Sequence, residues 1–175
     1  MIFGLDISTS IIGFTALNDE GEIIINEAWD LRKIKNIFEK ADYVRKKFRD
    51  ITVVPKYPNK VFIEQSLQSF RSGFSSAATL SLLSRFNGMV SWLCYRELGI
   101  EPEYISANSA RKLCGIKVHR GEKAKKTVLQ HVIDNVPGVT ITYTKFDNPR
   151  QECYDKADSW VIARAGWVKC QKEEN

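Results

Sequence analysis

Residues 2–17 have the sequence IFGLDISTSIIGFTAL and predict two β-strands, Ile2–Ile7 and Ile12–Leu17. A third strand, Glu22–Trp29, follows the residues NDEG at 18–21, whose composition suits a tight antiparallel hairpin. The first three strands are therefore expected to form an antiparallel meander. Asp6 lies among apolar residues in the first strand, and a buried carboxylate is costly unless it meets a cation or hydrogen-bond donors.

Helices and strands alternate after the meander. The strands are predicted at 61–65 and 102–107, and the helices at 33–48, from 77 to about 97, at 108–115, at 121–134 and from 152 to about 170. This order predicts an α/β layer sandwich with a mixed five-stranded sheet flanked by helices.

The long helix from residue 77 carries two stripes. Small residues recur at Ala77, Ser81, Ser84, Gly88 and Ser91, beside a stripe of large apolar residues at Leu83, Phe86, Val90 and Leu93. Such a helix is expected to pack on two sides. The small stripe is compatible with a close dimer contact or with tight packing on the protein's own sheet, and the sequence does not choose between them.

Composition sets limits on the class of protein. The 175 residues fit a single domain, residues 1–175, and the formal net charge of +5 is compatible with a polyanionic partner. Positive charge is concentrated in RKLCGIKVHRGEKAKK at 111–126. The four cysteines are scattered, which argues against zinc. Because no signal peptide or membrane span is apparent, a cytoplasmic location is expected.

Four carboxylates stand out together. Asp6 lies within the first strand, Glu64 ends an apolar strand, and Asp155 and Asp158 are three positions apart on one face of the final helix. Each has an ordinary structural interpretation alone, but their combination favours a site for hard divalent cations, which take oxygen ligands. Such a site can hydrolyse phosphodiesters with two Mg²⁺ ions.

The segments GLDIS, FIEQ, GEKAKK and YDKADSWVIARA resemble, in order and spacing, those of the RuvC-type Holliday junction resolvases of the ribonuclease H-like superfamily. The resemblance extends over nearly the whole chain. It implies a ribonuclease H-like fold and a DNA endonuclease that nicks two opposed strands of a four-way junction. Within the nuclease class, cleavage of flaps and forks is an alternative.

The resemblance also implies roles for residues. Asp6, Glu64, Asp155 and Asp158 would be the catalytic metal ligands for two Mg²⁺ ions, which Mn²⁺ can replace. Lys112 and Lys123 occupy the places of two lysines that assist catalysis in the family, although both could equally be general phosphate contacts.

Contacts to branched DNA are expected from a basic and apolar group of residues. Its members are Leu67, Phe70, Arg71, Lys112, Lys117, Arg120, Lys123 and Lys126. The family places an aromatic wedge just after the glutamate strand, where this chain has Leu67, with Phe70 close by. The wedge is therefore unassigned, and Phe70 could instead anchor the loop. The family works as a homodimer, whose two-fold symmetry matches that of a four-way junction. The resemblance also implies a location at the nucleoid, or in the host cytoplasm if the protein is viral.

Two rival functions fit less well. Residues 4–21 are similar to the phosphate-binding hairpin of actin-like kinases and chaperone ATPases, but those proteins need a second lobe and further glycine-rich segments. A catalytically inactive junction-binding module is expected to lack one or more of the four carboxylates, and all four are present.

Overall fold

A computed structural model describes residues 1–51, 58–65 and 77–173. The strands are β1 (Ile2–Ile7), β2 (Ile11–Leu17), β3 (Ile23–Asp30), β4 (Lys60–Glu64) and β5 (Glu103–Ile105). The helices are α1 (Ile37–Ile51), α2 (Ala77–Leu98), α3 (Ala107–Leu113), α4 (Ala124–Asn135) and α5 (Gln151–Glu173).

The strands form one mixed sheet in the order β3-β2-β1-β4-β5. The first three strands are antiparallel neighbours, and β4 and β5 continue the sheet in parallel with β1. The predicted meander and mixed five-stranded sheet are confirmed. None of the helices in the described part of the chain has the length and apolar character needed to cross a lipid bilayer.

Alternating residues of β1 divide the core into two layers. Phe3, Leu5 and Ile7 pack against α1 and α2 on one face of the sheet. Ile2 belongs to the second cluster, which includes residues of α3, α4 and α5. Because side chains alternate along a strand, Asp6 points to the same face as Ile2, towards α5.

Two helices begin later than their sequence patterns predict. The Asn36 side chain accepts a hydrogen bond from the backbone N–H of Phe38 at 2.8 Å, so α1 begins at Ile37. Glu122 accepts one from the backbone N–H of His119 at 2.9 Å, which holds a turn before α4. In both cases a local side-chain bond competes with the first helical turn.

The two stripes of α2 face different surroundings. Three of the four large residues, Phe86, Val90 and Leu93, are buried in the core shared with α1. The small residues Ala77, Ser81, Ser84 and Gly88 are exposed, and a Cβ atom at Gly88 would meet no atom of the described chain within 4 Å. These four residues therefore do not pack on the sheet in the described structure, whereas the hydroxyl of Ser91, the fifth member of the stripe, lies 2.6 Å from that of Tyr104 on β5.

Candidate active site

Asp6 and Glu64 lie on adjacent strands at the same edge of the sheet. The parallel pairing of β1 with β4 matches Leu5 to Ile63, so the same register continued by one residue sets Asp6 opposite Glu64. Phe62 belongs to the core layer under α5, and Glu64, two residues later, points to that face as well. Two carboxylates from distant parts of the sequence are thus brought side by side.

Helix α5 approaches this face unusually closely because glycines lie beneath it. A Cβ atom at Gly4 would overlap the backbone of Ala163, and one at Gly13 would overlap the backbone carbonyl of Asp155. Gly13 is the antiparallel partner of Asp6. The absence of a side chain at Gly13 therefore lets the first turns of α5 lie directly over the strand position next to Asp6.

A buried polar network fixes the position of α5. The hydroxyls of Thr15 on β2 and Ser159 on α5 are 2.8 Å apart. The Asn26 side-chain amide donates to Thr15 Oγ1 at 2.7 Å and to the backbone carbonyl of Lys156 at 3.1 Å. Because these groups are buried, sliding the helix along the sheet would leave polar atoms unpaired. The network lies next to Asp158.

The four carboxylates interact electrostatically. Burial raises the pKa of Asp6 well above its usual range, and the charges of Glu64, Asp158 and Asp155 raise it further. Burial and Asp158 together raise the pKa of Glu64 to about 7. This is the pattern expected when several acids share a site poorly accessible to water.

The two aspartates of α5 behave similarly. Burial raises the pKa of Asp155 to about 6, and Asp158 adds to that rise. Burial also raises the pKa of Asp158, an effect that the charge of Lys125 partly offsets. One oxygen of Asp155, Oδ2, is buried without a hydrogen-bond partner in the described structure. An unpaired buried carboxylate oxygen is costly, so this atom is available to a cation.

Lys125 is the cation that contacts this cluster directly. Its Nζ lies 3.3 Å from Oδ2 of Asp158 and 3.7 Å from Oδ1 of Asp155. Burial lowers the pKa of Lys125, but the charges of Asp158, Asp6 and Asp155 outweigh that effect and raise it. Arg111 is close enough to lower the pKa of Glu64 and Asp158.

Lys125 was missed by the sequence prediction, which selected Lys112 and Lys123. In the described residues neither of those lysines forms an ion pair with the four carboxylates. Lys123 is the N-cap residue of α4, and Lys125 is two positions further on. A signal was available, because Lys125 precedes the buried residues Val128, Leu129 and Val132 by three, four and seven positions, the spacing of one helix face.

The other basic residues predicted to contact DNA lie in the same stretch of sequence as Arg111 and Lys125. Exposed lysines and an arginine lie on the segment between α3 and α4 and at its two ends; they are Lys112, Lys117, Arg120, Lys123 and Lys126. The predicted contacts Leu67, Phe70 and Arg71 lie outside the described residues. The basic surface therefore adjoins the edge at which the carboxylates meet, through Arg111 and Lys125.

The donor set suits hard divalent cations. Carboxylate oxygens are their preferred ligands, and mutually repelling carboxylates with raised pKa values are stabilised by positive charge. As placed, however, no three His, Cys, Asp or Glu side chains among the described residues are grouped closely enough to hold one ion. The residues fit such ions chemically, and holding one requires the carboxylates to turn towards each other, away from Lys125.

No protein-family model matches the sequence, and a search of curated proteins finds no match. Solved structures are nevertheless similar to it. RuvC of Thermus thermophilus in complex with a Holliday junction substrate gives a TM-score of 0.69 at 12% identity, with 98% of this chain and 95% of that chain covered. A second Thermus thermophilus RuvC structure gives a TM-score of 0.64 at 16% identity, with 98% of this chain and 96% of that chain covered.

The yeast mitochondrial Holliday junction resolvase Ydc2 has the same fold. Its TM-score is 0.61 at 16% identity, and the match covers 98% of this chain and 79% of that chain. At such low identities the similarity establishes the fold, which is the ribonuclease H-like α/β fold expected from the sequence.

Proposed function

We propose that residues 1–175 act as one ribonuclease H-like nuclease domain that binds four-way DNA junctions and nicks two opposed strands. The observation that carries the proposal is the cluster of four carboxylates around Lys125, set against a basic surface. The fold shared with RuvC and Ydc2 supports this choice over other phosphodiesterases.

The proposed chemistry is hydrolysis assisted by two Mg²⁺ ions, for which Mn²⁺ can substitute. When bound, such ions activate water and stabilise the leaving oxygen, which here would leave 5′-phosphate and 3′-hydroxyl ends. Asp6, Glu64, Asp155 and Asp158 would together hold the ions. The orphaned Oδ2 of Asp155 supports a role as a ligand.

Lys125 is proposed to change partners during this reaction. In the described structure its ammonium group lies between Asp155 and Asp158. With divalent cations held by these aspartates, the ammonium group would be available to a DNA phosphate at the edge of the cluster. Lys112 and Lys123 are proposed to act as phosphate contacts, with a direct role in catalysis as the alternative for each.

The N-terminus of α4 is proposed to hold the DNA backbone. Helix N-termini carry partial positive charge, so the charges of the lysines at 123, 125 and 126 are unfavourable at this end of α4. The first turn of α4 contains no acidic residue that would offset them. The same concentration of positive charge favours a phosphate. Lys117 and Arg120 would extend the contact, and Leu67, Phe70 and Arg71 are proposed to reach the junction centre.

We further propose that the protein is a homodimer. A four-way junction offers two symmetric strands, and a two-fold protein dimer presents one site to each. The exposed small residues Ala77, Ser81, Ser84 and Gly88 of α2 would let two helices approach closely.

The proposal is tested by incubating the protein with a synthetic mobile junction, a flap, a fork and linear duplex of matched sequence, with Mg²⁺ and with chelator. Paired, Mg²⁺-dependent nicks in the junction are expected, yielding products that a ligase can seal. Efficient cleavage of the flap and fork would favour the broader branched-DNA nuclease. Equal cleavage of linear duplex would contradict junction specificity, and ATP turnover without DNA cleavage would contradict the nuclease.

A further inference from the structure

Residues 142–150, which lead into α5, form a small hairpin that we call the α5 hairpin. Tyr143 and Pro149 form an antiparallel bridge. At the tip, the backbone N–H of Asp147 donates to the carbonyl of Thr144 at 3.1 Å. Asp147 has a φ of 56°. A turn followed by a residue in the left-handed region is a usual way to close a three-residue hairpin loop.

Phe146 occupies the tip, and its side chain is 73% exposed. Its backbone is held on both sides, because its N–H donates to Thr144 Oγ1 at 3.3 Å and its carbonyl accepts from the Asn148 side chain at 3.2 Å. A single exposed aromatic ring is ordinary. One presented on a fixed backbone is not, because it can bind with little further loss of conformational entropy.

The hairpin is fastened to the helix that carries two of the carboxylates. The backbone N–H of Thr142 donates to Sγ of Cys153 at 3.3 Å, and that thiol can donate back to the carbonyl of Thr142 at 3.4 Å. Lys156 Nζ donates to the carbonyl of Thr140 at 2.6 Å. Because Cys153 and Lys156 flank Asp155, the base of the hairpin and the candidate active site are joined to the same helical turns.

The length of the hairpin sets the reach of Phe146. Phe146 is four positions from Thr142, the residue that contacts Cys153, so the extended chain limits the Phe146 backbone to about 13 Å from that contact. The hairpin therefore keeps the ring near the first turns of α5, which carry Asp155.

Two cationic side chains lie on the same hairpin as Phe146. Lys145 Nζ lies 4.9 Å from the centroid of Phe146. Arg150, also exposed, closes the hairpin at its other end and donates through Nε to the carbonyl of Tyr143 at 3.2 Å. An aromatic ring beside cations is the combination with which proteins bind unpaired nucleotides, since the ring stacks on a base and the cations contact phosphates.

We infer that Phe146 is a base-stacking residue that contacts an unpaired nucleotide of branched DNA near the cleaved phosphate, with Lys145 on an adjacent phosphate. The inference rests on the proposed nuclease function and deepens it by assigning a specificity-determining contact. Since paired bases are already stacked on their neighbours, the contact favours a branch point over intact duplex.

Binding of the full chain to a four-way junction and to matched duplex is measured by fluorescence anisotropy in chelator, so that no DNA is cut. Phe146→Ala should weaken junction binding about 5- to 100-fold and duplex binding far less. Phe146→Trp should bind the junction about as tightly as the wild-type protein, because the indole ring can also stack on a base. Phe38→Ala is the matched control, because Phe38 is 64% exposed, close to the value for Phe146, but lies on α1, across the sheet from α5.

Salt dependence separates stacking from charge. Phe146→Ala should leave the slope of log affinity against log salt concentration unchanged, whereas Lys145→Ala should reduce its magnitude by about one. A fluorescent adenine analogue placed at the branch point should change its emission on binding wild-type protein, and that change should be lost in Phe146→Ala.

The inference would be overturned if the wild-type protein binds and cuts junctions and Phe146→Ala binds them with an affinity within twofold of wild type. The proposed function would then still stand. An equal loss in Phe38→Ala, or an equal loss on duplex, would also overturn it. If the wild-type protein binds no branched DNA, the proposed function itself fails.

Discussion

Gly13 lies so close to helix α5 that a Cβ atom at this position would overlap the backbone carbonyl of Asp155. The same glycine is the strand partner of Asp6. The distance between the sheet and the helix is therefore set at the point where their carboxylates meet.

Replacing Gly13 by alanine tests this relationship. We expect Gly13→Ala to lower the free energy of unfolding by about 3 kcal/mol or more, because a helix backbone cannot move aside as a flexible side chain can. Gly88→Ala is the control, since it adds a methyl group to an exposed helix position that no atom of the described residues approaches within 4 Å, and it should be neutral or stabilising. Chemical denaturation followed by circular dichroism measures both. Equal stability of the two variants would contradict the tight contact.

Asp6→Asn should separate binding from cleavage. The change removes one charge from the proposed metal site without touching the basic surface, so the cleavage rate at saturating enzyme should fall on the order of 100-fold or more while junction affinity is retained. Asp50→Asn, a change at an exposed site on α1, should behave as wild type. Joint loss of binding and cleavage in a folded Asp6→Asn protein would indicate a structural role for Asp6.

Lysine variants distinguish the three candidate lysines. Lys125→Ala should lower the single-turnover cleavage rate on the order of 100-fold, because Lys125 is the one of the three that contacts the carboxylates in the described structure. Lys123→Ala and Lys112→Ala should mainly weaken binding and reduce its salt dependence. If Lys123→Ala lowers the rate at saturating enzyme and Lys125→Ala does not, the assignment from family resemblance is the better one.

Stability should depend on pH when divalent ions are chelated. The pKa of Glu64 rises from 4.5 to about 7 on folding. At pH values between these two, Glu64 therefore binds more protons in the folded protein than in the unfolded chain. The contribution of Glu64 to the free energy of unfolding should therefore be fully present below about pH 4.5 and be lost as the pH rises through about 7. Thermal unfolding across this range measures the decline, which Glu64→Gln should reduce. Mg²⁺ should oppose it, since the ion binds the ionised carboxylates. Stability that increases with pH would contradict this coupling.

A charged residue on the small stripe of α2 tests the proposed dimer. Ser84→Arg should leave the monomer folded, because Ser84 is exposed, but should prevent close approach of two helices. Sedimentation should then change from dimer to monomer, and paired nicking of a junction should become single nicking. Lys33→Glu, at an exposed position before α1, controls for a change of charge. Wild-type protein that sediments as a monomer at all concentrations would contradict the proposal.

The sequence was sufficient for the sheet because alternating apolar runs and turn residues are local signals. The limits of β1 were predicted as observed, and those of β2 and β3 to within one residue. The proximity of Asp6 to Asp155 is inferred from the shared preference of carboxylates for divalent cations, because no sequence pattern links two residues so far apart in the chain. The contact between Gly13 and α5 left no local signal, because a glycine in a strand has several explanations.

Lys125 shows how a helix boundary controls a site prediction. A run of lysines at 123, 125 and 126 does not reveal which ammonium points inward until the first helical residue is known. The turn held by His119 and Glu122 delays α4 to Ala124, and this phase directs the ammonium group of Lys125, whose side chain remains 58% exposed, towards Asp155 and Asp158. No strand is predicted from the sequence at the α5 hairpin, because the turn residues at its tip are held by hydrogen bonds among a few polar side chains.

The bond between Thr15 and Ser159 joins residues 144 positions apart. A site built across such a separation cannot form until α5 has been synthesised, because Asp155 and Asp158 are translated long after Asp6 and Glu64. The proposed nuclease would therefore be inactive until that point, and docking of α5 on the sheet would complete the site.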